Sequence, residues 1–134
     1  MSRPDPLLTL KERDVTKQVV DWMEWNGWRA LRNQVSANQN QAGGWFRTGE
    51  KGMPDWLFLY YFKHQPMIGV CVQLWIEMKK EGEDLKPDQV DWHMKEVARG
   101  ALVWTVDKFE PFVEKYESVF GWMQKHREGQ QLLI

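Results

Sequence analysis

Two apolar runs in the middle of the chain, residues 56–62 and 70–78, constrain its fold more than any other feature. Both are rich in aromatic and branched residues, and Lys63-His64-Gln65-Pro66 after the first is a turn signal. They read as neighbouring strands of a buried hairpin. The first opens on Asp55, and the second closes on Glu77-Met78-Lys79. Side chains alternate along a strand, so Trp75, Glu77 and Lys79 share one face while Ile76 and Met78 point the other way. A carboxylate and an ammonium on an otherwise apolar strand need a reason, because buried charge is costly unless paired or bound to metal.

The flanking segments supply helices and further strands. Thr9-Leu10-Lys11-Glu12 fits a capping box, with Thr9 as N-cap and Glu12 reaching back to its amide. Val15, Val19 and Trp22 then recur on one helix face, and Asn26-Gly27 stops the helix. Residues 28–35 read as a strand. Residues 36–52, rich in Asn, Gln and Gly, read as a long loop of the kind that is functional or disordered. After a charged connection over 80–86 comes a second helix, with Pro87 in its first position. Lys86 is a poor N-cap, so Asp84 is the expected cap. Val90, Met94 and Val97 mark the expected buried face, and Gly100 the stop. Residues 101–106 form a third apolar strand, and 109–124 a closing helix with Phe112, Tyr116, Val119 and Phe120 on one side. The order α-β-loop-β-β-α-β-α predicts an α/β fold, a mixed central sheet flanked by helices, in one domain over 1–134. The tail, 129–134, ends in Leu132-Leu133-Ile134, which is expected to dock on this chain or a partner.

Bulk properties exclude little. A formal net charge of −1 does not mark a general nucleic-acid binder, although carboxylates clustered at a site can mask a locally basic surface. Nine tryptophans are more than a solvent-facing surface accommodates, so most belong in the core; some could stack on bases or form a subunit interface. No run of 18 apolar residues is present, and the N-terminus lacks the apolar core and cleavage site of a signal peptide. A cytoplasmic protein without a membrane span is the expectation. The single cysteine, Cys71, has no internal disulfide partner and reads as a small buried hydrophobe. His64, His93 and His126 lack zinc-ligand spacing, so no structural zinc is expected. His93 reads as a helix-surface or supporting group rather than a catalytic base.

Phosphodiester hydrolysis is one chemistry that would explain the charges on the second strand. Mg²⁺ takes oxygen ligands in octahedral geometry and keeps several waters. Asp55, Glu77 and the backbone carbonyl of Met78 could supply three ligands, and Lys79 could position the attacking water and steady charge on phosphorus. Pro-Asp occurs three times, but only Pro54-Asp55 opens an apolar strand; Glu-x-Lys occurs once. Asp84-Leu85-Lys86 satisfies the looser pattern but lies in a polar connection. The competing reading of Glu77 and Lys79 is a cross-strand or solvent-facing ion pair. Gln89 sits one turn into the second helix with Trp92 and His93 on its flank, where a helix N-terminus would favour anionic phosphate. Glu12 either joins this group or serves its capping box. Arg29, Arg32, Arg47 and Lys51 precede or flank Asp55, and Lys79, Lys80 and Lys86 flank the other side. They form either a basic rim that grips phosphates without reading sequence, or scattered solvated charge.

Taken in order, Glu12, Gly52-Met53-Pro54-Asp55, Ile76-Glu77-Met78-Lys79 and Gln89-Val90-Asp91-Trp92 resemble the VRR-NUC domain of the PD-(D/E)xK nuclease superfamily. The chain is also similar to archaeal-type Holliday junction resolvases, which share an N-terminal Glu-Arg, here Glu12-Arg13. The resemblance spans about residues 10–106. It implies a restriction-endonuclease-like α-β-β-β-α-β core, dependence on Mg²⁺ with Mn²⁺ as substitute, and cleavage of DNA. It assigns Asp55, Glu77 and the Met78 carbonyl to the metal, Lys79 to catalysis, Gln89 as a helix-borne site residue and Glu12 as a further acid. It also implies a homodimer acting on branched or structured DNA. Met78 departs from the small or β-branched residue common at its position, the name-giving Val-Arg-Arg is missing, and 36–52 does not align. Two other functions compete: a restriction-type or DNA-end nuclease, and a non-catalytic DNA-binding or assembly module on a nuclease scaffold.

Overall fold

The computed structural model describes residues 12–33, 37–39, 45–47 and 49–132, with side chains described except at 37–39, 45–47 and 124–132. Helix α1 (Glu12–Trp25) buries Val15, Val19 and Met23 along one stripe. It ends where Asn26-Gly27 was expected to stop it: the Gly27 N–H donates to the Glu24 carbonyl and the Trp28 N–H to the Met23 carbonyl, both at 3.0 Å. Strands β1 (Arg29–Arg32), β4 (Trp56–Tyr61), β5 (Cys71–Met78) and β6 (Leu102–Val106) form a four-stranded mixed sheet in the order β1-β4-β5-β6. β4 pairs antiparallel with both β1 and β5, with Trp56 opposite Ile76. β5 and β6 run parallel, and helix α2 (Pro87–Ala98) supplies the crossover that a parallel pair requires. Helix α3 (Phe109–Leu132) closes the chain order.

The sheet separates two environments. Phe58, Leu74, Ile76, Met78, Trp104 and Val106 form one buried cluster with Val15, Val19 and Met23 of α1 and Phe112, Tyr116 and Phe120 of α3. The Trp28 indole N–H donates to the Tyr116 hydroxyl at 2.9 Å, tying the start of the sheet to α3. Alternation along β5 turns Trp75, Glu77 and Lys79 to the other face. There α2 covers them, with the Trp92 ring 5.1 Å from that of Trp75.

Several expectations need correction. The region 36–52 is not all loop: β2 (Ala37–Gln39) and β3 (Trp45–Arg47) pair antiparallel, with Ala37 opposite Arg47. The buried face of α2 is not Val90, Met94 and Val97, which are 40%, 67% and 54% exposed; Trp92 and His93 are buried instead. The α2 N-cap is Lys86, not Asp84, and its N–H is satisfied by the Gln89 side-chain oxygen at 2.9 Å. Helix α3 runs beyond 124 into the expected tail, to Leu132. Cys71 is half-buried. The capping role of Thr9 and the docking of Leu133 and Ile134 fall outside the described residues. Of the tryptophans, Trp28, Trp92 and Trp104 are buried, whereas Trp25 and Trp122 are exposed.

Candidate active site

Asp55 stands at the entrance to β4 on a segment fastened at both flanks. On one side the Asn33 N–H donates to the Asp55 carbonyl at 2.6 Å, and the Asn33 side-chain amide to the Pro54 carbonyl at 3.1 Å. On the other, the preceding turn lies against α2: the Trp92 indole N–H donates to the Glu50 carboxylate at 2.8 Å. Gly52 makes the close approach. Its φ is +87°, and a Cβ there would sit 2.1 Å from the Asp88 carbonyl oxygen. Only a residue without a side chain lets this turn reach the first turn of α2.

Glu77 is the centre of the group. Continuing the β4–β5 register by one residue places it opposite Asp55. Its Oε2 accepts the Asp55 backbone N–H at 3.2 Å, and its Oε1 accepts the Gln89 side-chain amide at 2.7 Å. Gln89 therefore does two jobs, closing the N-terminus of α2 with its oxygen and orienting Glu77 with its nitrogen. The side chains of Glu77 and Lys79 are only 4% and 5% exposed, and the Lys79 amine lies 3.9 Å from Glu77 Oε1. The same amine donates to Glu83 Oε1 at 3.2 Å. These burials do not fit a solvent-facing ion pair, and they remove Lys79 from any exposed basic rim.

Electrostatics follow from this packing. Burial pushes the Glu77 carboxyl up to about 7, with the Asp55 charge, and more weakly that of Glu12, adding to the rise; Lys79 and the Asp55 N–H oppose it. Burial raises Asp55 as well, against the pull of Arg32 and Lys79. Burial and the neighbouring Lys79 charge lower His93, whose Nε2 is enclosed without a hydrogen-bond partner among the described residues.

The donor set suits a hard divalent cation. Two carboxylates opposite one another, each raised by burial, would both be relieved by a cation between them. A third oxygen follows from peptide geometry. The Lys79 N–H donates to the Val106 carbonyl at 2.9 Å, toward β6, so the trans peptide points the Met78 carbonyl toward the β4 side, where Asp55 lies. Among the described residues no cluster of three or more His, Cys, Asp or Glu side chains is placed to hold a metal. Two carboxylates, a carbonyl and water make an all-oxygen set of the kind Mg²⁺ or Mn²⁺ takes.

Asp55, Glu77, Lys79 and Gln89 are thus brought together, with Glu12 close enough for its charge to be felt at Glu77. Arg32, Lys51 and Lys80 are exposed near this group in the chain, while the Arg47 side chain lies outside the described ones. Sequence reasoning passed over Glu50 and Glu83. For Glu83 the available signals were its four-residue spacing from Lys79 and the turn-forming Gly82 before it. A separate apolar hollow between α1 and the start of α3, lined by Trp22, Trp25 and Phe109, has only Gln18 and Asp21 as polar lining. Comparison with known proteins gives no match to a family model, to a curated protein or to a solved structure.

Proposed function

We propose that this chain is a divalent-metal-dependent deoxyribonuclease of the PD-(D/E)xK type, with a VRR-NUC-like, restriction-endonuclease-like core acting on branched or structured DNA. One observation carries the reading: Glu77 is buried on a helix-covered sheet face, bonded at once to the Asp55 backbone and to Gln89, with the Lys79 amine beside it. A hydrophobic core gives no reason for such a set, since removing water from charged groups is costly unless pairing, hydrogen bonds or a bound ion offset it, and such groups gather at functional sites. With the separate β2–β3 pair set aside, the four-stranded sheet and its helices follow in the order α1, β1, β4, β5, α2, β6, a succession that supports such a core.

Asp55, Glu77 and the Met78 carbonyl would hold Mg²⁺ or Mn²⁺. When bound, the ion polarises the phosphate and lowers the pKa of a coordinated water. The chain's own residues do the rest. Gln89 fixes the rotamer of Glu77, holding its other oxygen, Oε2, against the Asp55 N–H. Lys79 brings a positive charge into a desolvated pocket, where negative charge on the phosphate is best stabilised. Arg32, Arg47, Lys51 and Lys80 hold the DNA backbone without reading its sequence.

The test pairs calorimetric titration of Mn²⁺ and Mg²⁺ with cleavage assays on wild type and Asp55→Asn. Wild type is expected to bind metal and cut DNA, and Asp55→Asn to lose both. A wild-type chain that neither binds metal nor cuts any DNA, or a variant indistinguishable from it, sinks the reading.

A further inference from the structure

The Lys79 amine is closer to a carboxylate outside the motif than to the one inside it. Glu83 Oε1 is 3.2 Å away, within hydrogen-bonding distance, whereas Glu77 Oε1 at 3.9 Å is beyond it. Glu83 arrives there by way of a built turn. Its N–H donates to the Lys80 carbonyl at 2.9 Å, and Gly82, at φ +78°, occupies the third position of that turn, where a left-handed residue is required. Both central residues are fastened to the segment after β6. The Gly82 N–H donates to Asp107 Oδ2 at 3.3 Å, and Lys108 pairs with Glu81 at 2.9 Å. The turn fastened in this way brings the Glu83 carboxylate, itself 41% exposed, against the buried Lys79 amine.

This arrangement answers a problem the site creates. Lysine is a point charge on a flexible stem and finds its place only through partners. Once Glu77 is committed to a cation, its attraction for the Lys79 ammonium weakens, and the amine needs a second anchor. We propose that Glu83 is a positioning residue, whose carboxylate holds the Lys79 ammonium beside the Asp55–Glu77 edge during catalysis. The inference rests on the nuclease reading for its catalytic half, while the contact itself stands on geometry alone.

Two readouts test it on the full chain. The first is steady-state cleavage by wild type, Glu83→Ala, Glu83→Gln and Asp107→Asn. Glu83→Ala should lower kcat by about 10- to 100-fold with KM within about twofold, the cost typical of a catalytic group misplaced by an ångström. Glu83→Gln, whose amide oxygen still accepts the Lys79 hydrogen bond, should recover part of that loss, and Asp107→Asn should show a smaller fall in the same direction. The second readout needs no cleavage: reductive methylation with labelled formaldehyde, followed by peptide mass spectrometry, measures access to the Lys79 amine. Labelling at Lys79 should be slow in wild type and several-fold faster in Glu83→Ala, with other lysines unchanged. Unaltered kcat and unaltered labelling in Glu83→Ala overturn the proposal. So does a fall in kcat accompanied by a comparable rise in KM, with equal loss in the Gln variant, the pattern of a general structural defect. If wild type cuts nothing, the nuclease reading fails and takes the catalytic half with it, and the labelling still decides whether Glu83 holds the amine.

Discussion

Glu77 ties the stability of this chain to pH. Its folded carboxyl is raised to about 7 from an ordinary 4.5, so the protonated form is the one favoured by folding. The stability it contributes is fully present below the unfolded value and is lost as pH rises through the folded one. Asp55 is shifted in the same direction. Metal-free protein should therefore melt at a lower temperature at about pH 8 than at about pH 5.5, and Glu77→Gln should flatten that difference; calorimetry in the presence of chelator checks both. Added Mn²⁺ should raise the melting temperature more at the higher pH, because the ion competes with the proton for the same oxygens. Lys79 makes a different prediction. Being 5% exposed, it is poorly placed to contribute to initial DNA binding. Lys79→Ala should slow cleavage by about 100-fold or more while changing the DNA Kd by no more than about twofold, measured by single-turnover kinetics and fluorescence anisotropy. Equal losses in binding and cleavage would count against a catalytic role.

At the level of elements, α2 shows what a sequence reveals and what it withholds. The hairpin of β4 and β5, the stop at Asn26-Gly27 and Pro87 at the head of α2 were all legible, because each rests on local chemistry: apolar composition, turn residues, a missing N–H. The face of α2 was not. The helix offers two stripes, Val90-Met94-Val97 and Gln89-Trp92-His93, and periodicity favours the more apolar one. The second stripe meets the sheet because that sheet face carries Trp75, Glu77 and Lys79, and a carboxylate there needs Gln89 more than it needs a valine. The β2–β3 pair was hidden for another reason: Asn, Gln and Gly are poor strand formers, and only Trp45-Phe46-Arg47 hinted at one. Urea unfolding distinguishes the stripes. Met94→Ala and Val97→Ala should each change stability by no more than about 0.5 kcal/mol, whereas Trp92→Ala, buried against the sheet, should cost about 3–5 kcal/mol. Gly52→Ala should part the Asp55 segment from α2, since its Cβ meets backbone rather than a yielding side chain. The expected result is a loss of metal affinity larger than the loss of fold stability, read by metal titration beside urea unfolding.

For the whole molecule, the proposed function asks how a chain of net charge −1 engages a polyanion. Binding through a local rim of exposed basic side chains should weaken steeply with salt, with a slope that falls by about one for each phosphate contact removed, as in Arg32→Ala or Lys80→Ala. Branched and linear duplexes at equal concentration separate a structure-selective enzyme from a restriction-type or end-processing one, and sedimentation velocity checks the proposed homodimer. No helix among the described residues is long and apolar enough to cross a membrane. The packing of α2 on the sheet also provides an optical reporter. Trp75 and Trp92 hold their rings 5.1 Å apart and inclined at 70°. Indoles that close and that tilted couple their electronic transitions, and the pair should give an exciton couplet in circular dichroism. Trp75 lies two residues before Glu77, and Trp92 bonds the turn that leads to Asp55. Trp22 and Trp25, 6.2 Å apart, couple as well, so the part of the signal lost in Trp75→Phe is the part that registers whether α2 is seated over the two carboxylates, without a label, a substrate or a turnover.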